Sequence, residues 1–403
     1  MRVVLRLVAR PLKAPRPDSQ RAWLAAAAAF FAGFVVFGIM YSFGVFVEPM
    51  AAAFHVSRAA TSAFFSITGL VFYVIGSLTG YLSDRYGPRL VVGTGAIVMG
   101  GGLILTAFIG QMWVGYFCYG VGAGVGAACA YVPTLASVGG WFVKRRNTAL
   151  GIAAAGTGSG MLVVPPLAAA LIESFGWRAT YVIFGIGSAL LLMLCAAAVG
   201  PPPITHARVS RPLGRVVRSS EFILLYVSWV LATTALFVPF VFLPAFAHSH
   251  GAGKVAASAL LSVLGGTSIL GRLGIGVLGG WIGTRRLFKV AVFVMGVSYL
   301  LWLSFPSYGS LVIFAALLGL GYGIRISLMP VVLIDFFGLQ KLGTILGIFF
   351  TATGVSAALG PVLAGVIVDR TGSYQWGIAF ALVTGTLGFV AIVPLKTASQ
   401  TKR

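Results

Sequence analysis

Acidic side chains are scarce. The 403 residues hold seven Asp and Glu against 28 Lys and Arg. Charged residues of both signs make up only 9%, where a soluble domain carries roughly 25%. Cysteine is scarcer: Cys118, Cys129 and Cys195 lie inside apolar runs at no metal-ligand spacing and read as small buried hydrophobes. These shortages exclude several classes of chemistry. The sequence has no paired-acid site, no nucleophile–base constellation and no Walker-type phosphate loop, so it is not read as an enzyme, and neither metal nor cofactor is expected. Glycine-rich runs such as "GVGAGVGAACA" (Gly120–Ala130) read as close-packing helix faces, not as nucleotide loops.

Apolar residues are abundant: 59% of the chain, with a mean hydropathy of +1.01. Runs of about 20 apolar residues, the length that spans a bilayer, start near Trp23, Ser57, Leu90, Met112, Thr148, Ala179, Glu221, Val255, Leu287, Gly309, Leu342 and Gln375. This predicts an all-α integral membrane protein of twelve transmembrane helices. The net charge of +21 would suggest nucleic acid in a soluble protein. Here the basic residues lie between the apolar runs, so no nucleic-acid partner is expected, and the lipid bilayer takes that place. With both termini cytoplasmic, 22 Lys and Arg fall in cytoplasmic segments, four in outer loops and two inside spans. That split matches the positive-inside rule; the expected location is a bacterial inner membrane.

The chain reads as a basic cytoplasmic tail (1–21), a six-helix half (22–199), a Pro-rich basic linker (200–220), a second six-helix half (221–395) and a short cytoplasmic tail (396–403). The halves repeat. "GSLTGYLSDR" (Gly76–Arg85) matches "GVLGGWIGTR" (Gly276–Arg285) at an offset of 200, which sets Thr284 opposite Asp84. Leu150–Gly176 matches Leu346–Gly372 at 196, and Gly122–Pro133 matches Gly319–Pro330 at 197. Two pseudo-symmetric halves around a central site suit alternating access.

Arginine appears where it is most expensive. Arg272 lies 13 residues before Arg285, about 20 Å along a helix, and Arg325 lies 10 residues before Asp335, about 15 Å. Both are near mid-depth, where a charge costs several kcal/mol or more. The seven acids all fall in the tail or at span ends, so no side-chain countercharge is at hand. Two guanidinium groups facing a cavity make an anion site, each able to bind a carboxylate bidentately. The alternative is that each bonds only to backbone carbonyls and waters. Tyr41, Tyr119, Tyr131 and Tyr322 stand at plausible cavity positions, where hydroxyls donate to substrate oxygens. His248 and His250 mark the outer end of the seventh span and read as loop residues.

"GYLSDRYGPR" (Gly80–Arg89) resembles the loop signature of the major facilitator superfamily, G-x-L-x-D-R-x-G-x-R. The resemblance makes Gly80, Asp84, Arg85, Gly87 and Arg89 a conformational latch, with the glycines allowing close helix approach. "YSFGVFVEPM" (Tyr41–Met50), "GGWFVKRRNTALGIAAAGTGSG" (Gly139–Gly160) and "VPFVFLPAFAHSHG" (Val238–Gly251) resemble signatures of the monocarboxylate transporter family, which includes the bacterial oxalate/formate exchanger group. That resemblance implies that Arg272 binds the substrate carboxylate. It also implies two departures. Tyr41 stands where the family commonly has a lysine, and Ser268 stands where many members have an aspartate. The expected function is secondary transport of a small mono- or dicarboxylate by a monomer, with protons or a counter-anion as co-substrate. The rival readings are a drug or cation efflux pump of the same fold, which usually needs an intramembrane acid, and a receptor-like membrane protein that does not transport.

Overall fold

The computed structural model describes residues 17–200, 214–305, 307–337 and 342–395. Positions 1–16 of the expected N-terminal tail, the expected C-terminal tail and most of the expected linker lie outside these residues, and α1 begins at Gln20, inside the expected N-terminal tail. Eleven helices among the described residues are long and apolar enough to cross a membrane. One of them, covering 149–198, is two spans joined at Gly176, whose φ of 79° and ψ of 165° break the helix. The twelve spans are α1 (Gln20–Tyr41), α2 (Arg58–Tyr86), α3 (Pro88–Ala107), α4 (Met112–Trp141), α5 (146–175), α6 (177–198), α7 (Ser220–Ser249), α8 (Lys254–Ile282), α9 (Thr284–Ser304), α10 (Tyr308–Phe337), α11 (Leu342–Thr371) and α12 (Tyr374–Ile392). Every start lies within three residues of the position expected from hydropathy.

Two turns show how the repeat is built. Gly87 (φ 85°, ψ 146°) joins α2 to α3, and Gly283 (φ 83°, ψ 141°) joins α8 to α9. A side chain is disfavoured at positive φ, so glycine is the residue that closes so tight a connection. In the first turn Pro88 then starts α3 at N1, where its missing N–H goes unneeded. The matching geometry corrects the expected register by four residues. Gly87 pairs with Gly283 at an offset of 196, so Asp84 corresponds to Gly280, not Thr284, and Arg89 corresponds to Arg285. The short apolar match at 200 arose because Gly-x-Leu recurs at a four-residue spacing in α2, at Gly76–Leu78 and Gly80–Leu82, so that Gly276–Leu278 fits either. Gly176 and Gly372, both at positive φ, repeat the offset of 196 between α5–α6 and α11–α12.

Small residues set the helix spacing within each half. A Cβ on Gly156 would lie 2.0 Å from the Phe30 carbonyl oxygen, and one on Gly160 2.2 Å from that of Phe34, so α1 and α5 touch backbone to backbone. In the second half, a Cβ on Gly323 would lie 2.0 Å from the Ser268 carbonyl oxygen, joining α10 to α8.

The halves meet along α2–α11 and α5–α8 and, near the end of α1, against α7. At that end they are sealed. The Tyr41 and Phe240 rings stack with centroids 4.1 Å apart, and Gly44 is held against the Phe240 carbonyl. Asp369, at the close of α11, accepts backbone hydrogen bonds from Ala59 (2.9 Å) and Arg58 (3.3 Å) at the start of α2. Arg58 lies over the Tyr374 ring. The central cavity runs the other way, towards the starts of α5 and α11. Its lining includes Leu150 and Leu346 and the exposed Gly151 and Phe350.

Candidate functional site

The cavity encloses about 610 Å³ between the two halves and is lined by residues of α1, α2, α4, α5, α7, α8, α10 and α11. Most of its wall is apolar or aromatic, as Phe37, Leu236, Phe237, Met329 and Phe349 illustrate. Against this wall stand Arg272 and Arg325, and the structure brings both expected arginines into one space.

Arg272 projects from α8 towards α5. Its Nη1 donates to the Ala154 carbonyl at 2.8 Å and to Thr157 Oγ1 at 2.7 Å. The guanidinium lies 5.8 Å from the Tyr322 ring centroid. Nε is buried without an acceptor, and no acceptor for Nη2 is found among the described residues. The Nε–Nη2 edge is the side-on fork that matches a carboxylate.

Arg325, only 2% exposed, projects from α10 towards α7. Its Nη2 donates to the Trp229 carbonyl at 3.0 Å and to Thr233 Oγ1 at 2.7 Å. Its Cζ lies over the Trp229 indole, 4.0 Å from the ring centroid. Such a stack stabilises a desolvated guanidinium by about 2 kcal/mol. The indole is itself fixed, because Trp229 Nε1 donates to Thr353 Oγ1 at 2.8 Å. Arg325 Nε is also buried without an acceptor.

No carboxylate touches either arginine among the described residues. The ion pair found there is Arg285–Asp335, 3.6 Å apart at the end of α10. Carbonyl and hydroxyl dipoles therefore hold both central charges, as the structural alternative requires. Each guanidinium nevertheless keeps a buried Nε without an acceptor, which that alternative does not explain.

Tyr41, Tyr131 and Tyr322 line the cavity as expected. Tyr73 on α2, missed by sequence reasoning, joins them. Two expected residues are elsewhere. Tyr119 is packed among Phe43, Phe64 and Tyr181 near the sealed end, outside the cavity lining. Twelve residues at 3.6 per turn put it about 120° around α4 from Tyr131, and a π-helical segment, Tyr116–Ala123, shifts the phase further. Ser268 is fully buried, donates to the Gly265 carbonyl at 2.8 Å, and is covered by Gly323 of α10. It is therefore a packing residue in this arrangement.

Thr157, Trp229 and Thr233 were also missed. One signal could have found the first: Thr157 and Thr353 are equivalent at the offset of 196, and each accepts a hydrogen bond in its half's site. The latch residues occupy the α2–α3 connection. Gly80 lies in α2 and Gly87 makes the turn; Arg85 lies over Tyr86; Arg89 Nη2 donates to the Ala197 carbonyl at 3.0 Å. The Asp84 side chain is outside the described positions. His248 and His250 bond to the Ala252 and Phe246 carbonyls at the end of α7, away from the cavity.

A sequence model of the Major Facilitator Superfamily matches residues 29–306 and 275–403. Monocarboxylate transporter 3 of Rattus norvegicus is 31% identical over 376 residues, covering 89% of this chain and 76% of that protein. Monocarboxylate transporter 13 of the same species is 30% identical over 391 residues, covering 94% and 90%. The chain belongs to the monocarboxylate transporter family of the major facilitator superfamily. Solved structures agree on the fold of this family member. The nucleoside transporter NupG superposes with a TM-score of 0.77 at 14% identity, covering 94% of this chain and 100% of that one. A bacterial homologue of the human lysosomal transporter Spinster, inward-facing and occupied, gives 0.74 at 14% identity, covering 93% and 97%. The protein is thus a multi-pass membrane transporter and not an enzyme.

Proposed function

We propose that the protein is a secondary active transporter of a small organic anion, a mono- or dicarboxylate, working by alternating access. One observation carries this reading: Arg272 lines the cavity with its Nε and Nη2 lacking an acceptor and no acid beside it among the described residues. The substrate supplies the missing negative charge. The names of the relatives, monocarboxylate transporters 3 and 13, support the carboxylate. Arg325 offers a second donor, and Tyr41, Tyr73, Tyr131 and Tyr322 offer hydroxyls to further oxygens. The absence of any acid in contact with the arginines among the described residues speaks against a cation pump.

The two six-helix halves, 22–199 and 221–395, rock about the site. The distribution of basic residues supports cytoplasmic termini, and the membrane is read as a bacterial inner membrane. On that orientation the sealed end faces outward and the cavity faces the cytoplasm. The protein acts as a monomer. For coupling, anion exchange is favoured over proton symport. Returning the empty carrier would close a low-dielectric cavity on two uncompensated cations, which is costly even when dipoles shield them. The test is counterflow in proteoliposomes loaded with pyruvate, butyrate, succinate or benzoate. Uptake of a labelled anion that depends on one of these inside supports the reading. If no carboxylate is moved while a cationic drug is, the reading is wrong.

A further inference from the structure

Arg272 and Arg325 are held by different partners, and the difference bears on how loading is sensed. Arg325 is braced by Trp229 and Thr233, both on α7 of its own half. Its orientation does not depend on how the halves sit. Arg272 has the Tyr322 ring of its own half nearby, but its hydrogen bonds among the described residues go to the opposite half, to two acceptors on α5.

Those acceptors are themselves rigid. Thr157 donates its hydroxyl proton to the Ala154 carbonyl at 2.8 Å, which leaves its lone pairs for Arg272. Its methyl group packs on α1, where a Cβ at Gly33 would come within 3.3 Å of it. Gly158 and Gly265 bring α5 and α8 together beside it: a Cβ on Gly158 would meet Ile269 at 2.4 Å, and one on Gly265 would meet the Gly158 carbonyl at 3.0 Å. The two Nη1 contacts, to Ala154 and Thr157, fix one edge of the guanidinium and leave the Nε–Nη2 edge without an acceptor among the described residues, on a residue that lines the cavity.

We propose, resting on the carboxylate reading above, that Thr157 is a positioning residue. It orients the Arg272 fork for two-point carboxylate binding, and it does so across the boundary between the halves. Movement of α5 against α8 then changes the geometry offered to the anion, and bound anion in turn favours the arrangement in which α5 holds the fork. By linkage, the two effects are equal.

The experiment measures apparent affinity by thermal shift on purified full-length protein, with pyruvate, butyrate, succinate and benzoate as probes. Thr157→Val keeps the shape of the side chain and removes the acceptor. It should weaken binding about tenfold, the loss of one charge-assisted hydrogen bond, and Thr157→Ser should recover most of the loss. The decisive arm is the background with Arg272→Lys. An ammonium group has no plane to orient, so Thr157→Val should change affinity there by less than twofold. An equal tenfold loss in both backgrounds, or no loss in either, overturns the positioning role and leaves the carboxylate reading standing. Failure of the wild type to bind any of the four anions overturns that reading itself.

Discussion

Asp369 at the end of α11 caps the start of α2 from the opposite half, accepting from the backbone N–H of Ala59 at 2.9 Å and of Arg58 at 3.3 Å. A carboxylate suits a helix N-terminus, where unpaired N–H groups and the macrodipole favour negative charge. Ordinarily a cap belongs to its own helix. Here the local cap is Ser57, which accepts from Ala60, and Asp369 adds a second one that exists only while this end is closed.

Asp369→Ala should therefore open that end more often. Losing a cap costs about 1 kcal/mol, which is roughly a fivefold change in a two-state equilibrium. A cysteine replacing buried Ser62, in a protein lacking Cys118, Cys129 and Cys195, should react with a maleimide several-fold faster in the alanine variant. An unchanged rate would mean that the stacked Tyr41–Phe240 pair carries the seal without help.

A second expectation concerns the two arginines. Since both face one cavity, anions with a second carboxylate or polar group should compete better than acetate or propionate. Arg325→Ala should shift the preference towards simple monocarboxylates. Identical competition profiles in wild type and variant would make Arg325 a structural group held by Trp229 and Thr233.

The expected spans and the central arginines were legible because each rests on a large energy. A bilayer-length apolar run has few other uses, and a mid-depth charge is too costly to be incidental. The tyrosines were less legible. A tyrosine in a span is cheap, so its side depends on helix phase; Tyr119 failed there, while Tyr41, Tyr131 and Tyr322 did not. Ser268 rested on resemblance to relatives, and here the close approach of Gly323 buries it. Thr157 and Trp229 could not be read from local sequence. Threonine and tryptophan are common in spans, and what distinguishes these two is the arginine that packing brings to them. The repeat register slipped by four because Gly-x-Leu recurs at that spacing in α2 (Gly76–Leu78 and Gly80–Leu82), and the positive-φ glycines mark the true turn.

Acid sensitivity is expected at the start of α1. Asp18 accepts from the backbone N–H groups of Lys144 (3.1 Å), Arg145 (3.2 Å) and Val143 (3.3 Å), docking the chain on the loop before α5. These bonds, led by that from Lys144, hold its carboxyl below the usual 3.8. A depressed carboxyl contributes fully above its unfolded pKa and loses that contribution as pH falls through the folded value. Amide exchange at positions 143–145, corrected for intrinsic rate, should stay slow from pH 6 to pH 4 and quicken below. In Asp18→Asn it should be fast throughout. Protection that collapses near pH 6 would point to a different group.

Coupling can be separated by counterflow against net uptake with internal pH recorded. Strong trans-stimulation with negligible net uptake is the predicted outcome. Robust net uptake into anion-free vesicles with matching acidification would show that the proton travels with the anion.

The account stands or falls on Arg272. Direct carboxylate binding to purified wild type, Arg272→Ala and Arg272→Lys, each first shown to be folded and monodisperse, tests it without needing transport. Binding should be lost in the alanine variant and recovered poorly in the lysine one, since a point charge cannot replace a planar fork. Wild-type affinity in Arg272→Ala would contradict the assignment of the substrate carboxylate to this residue.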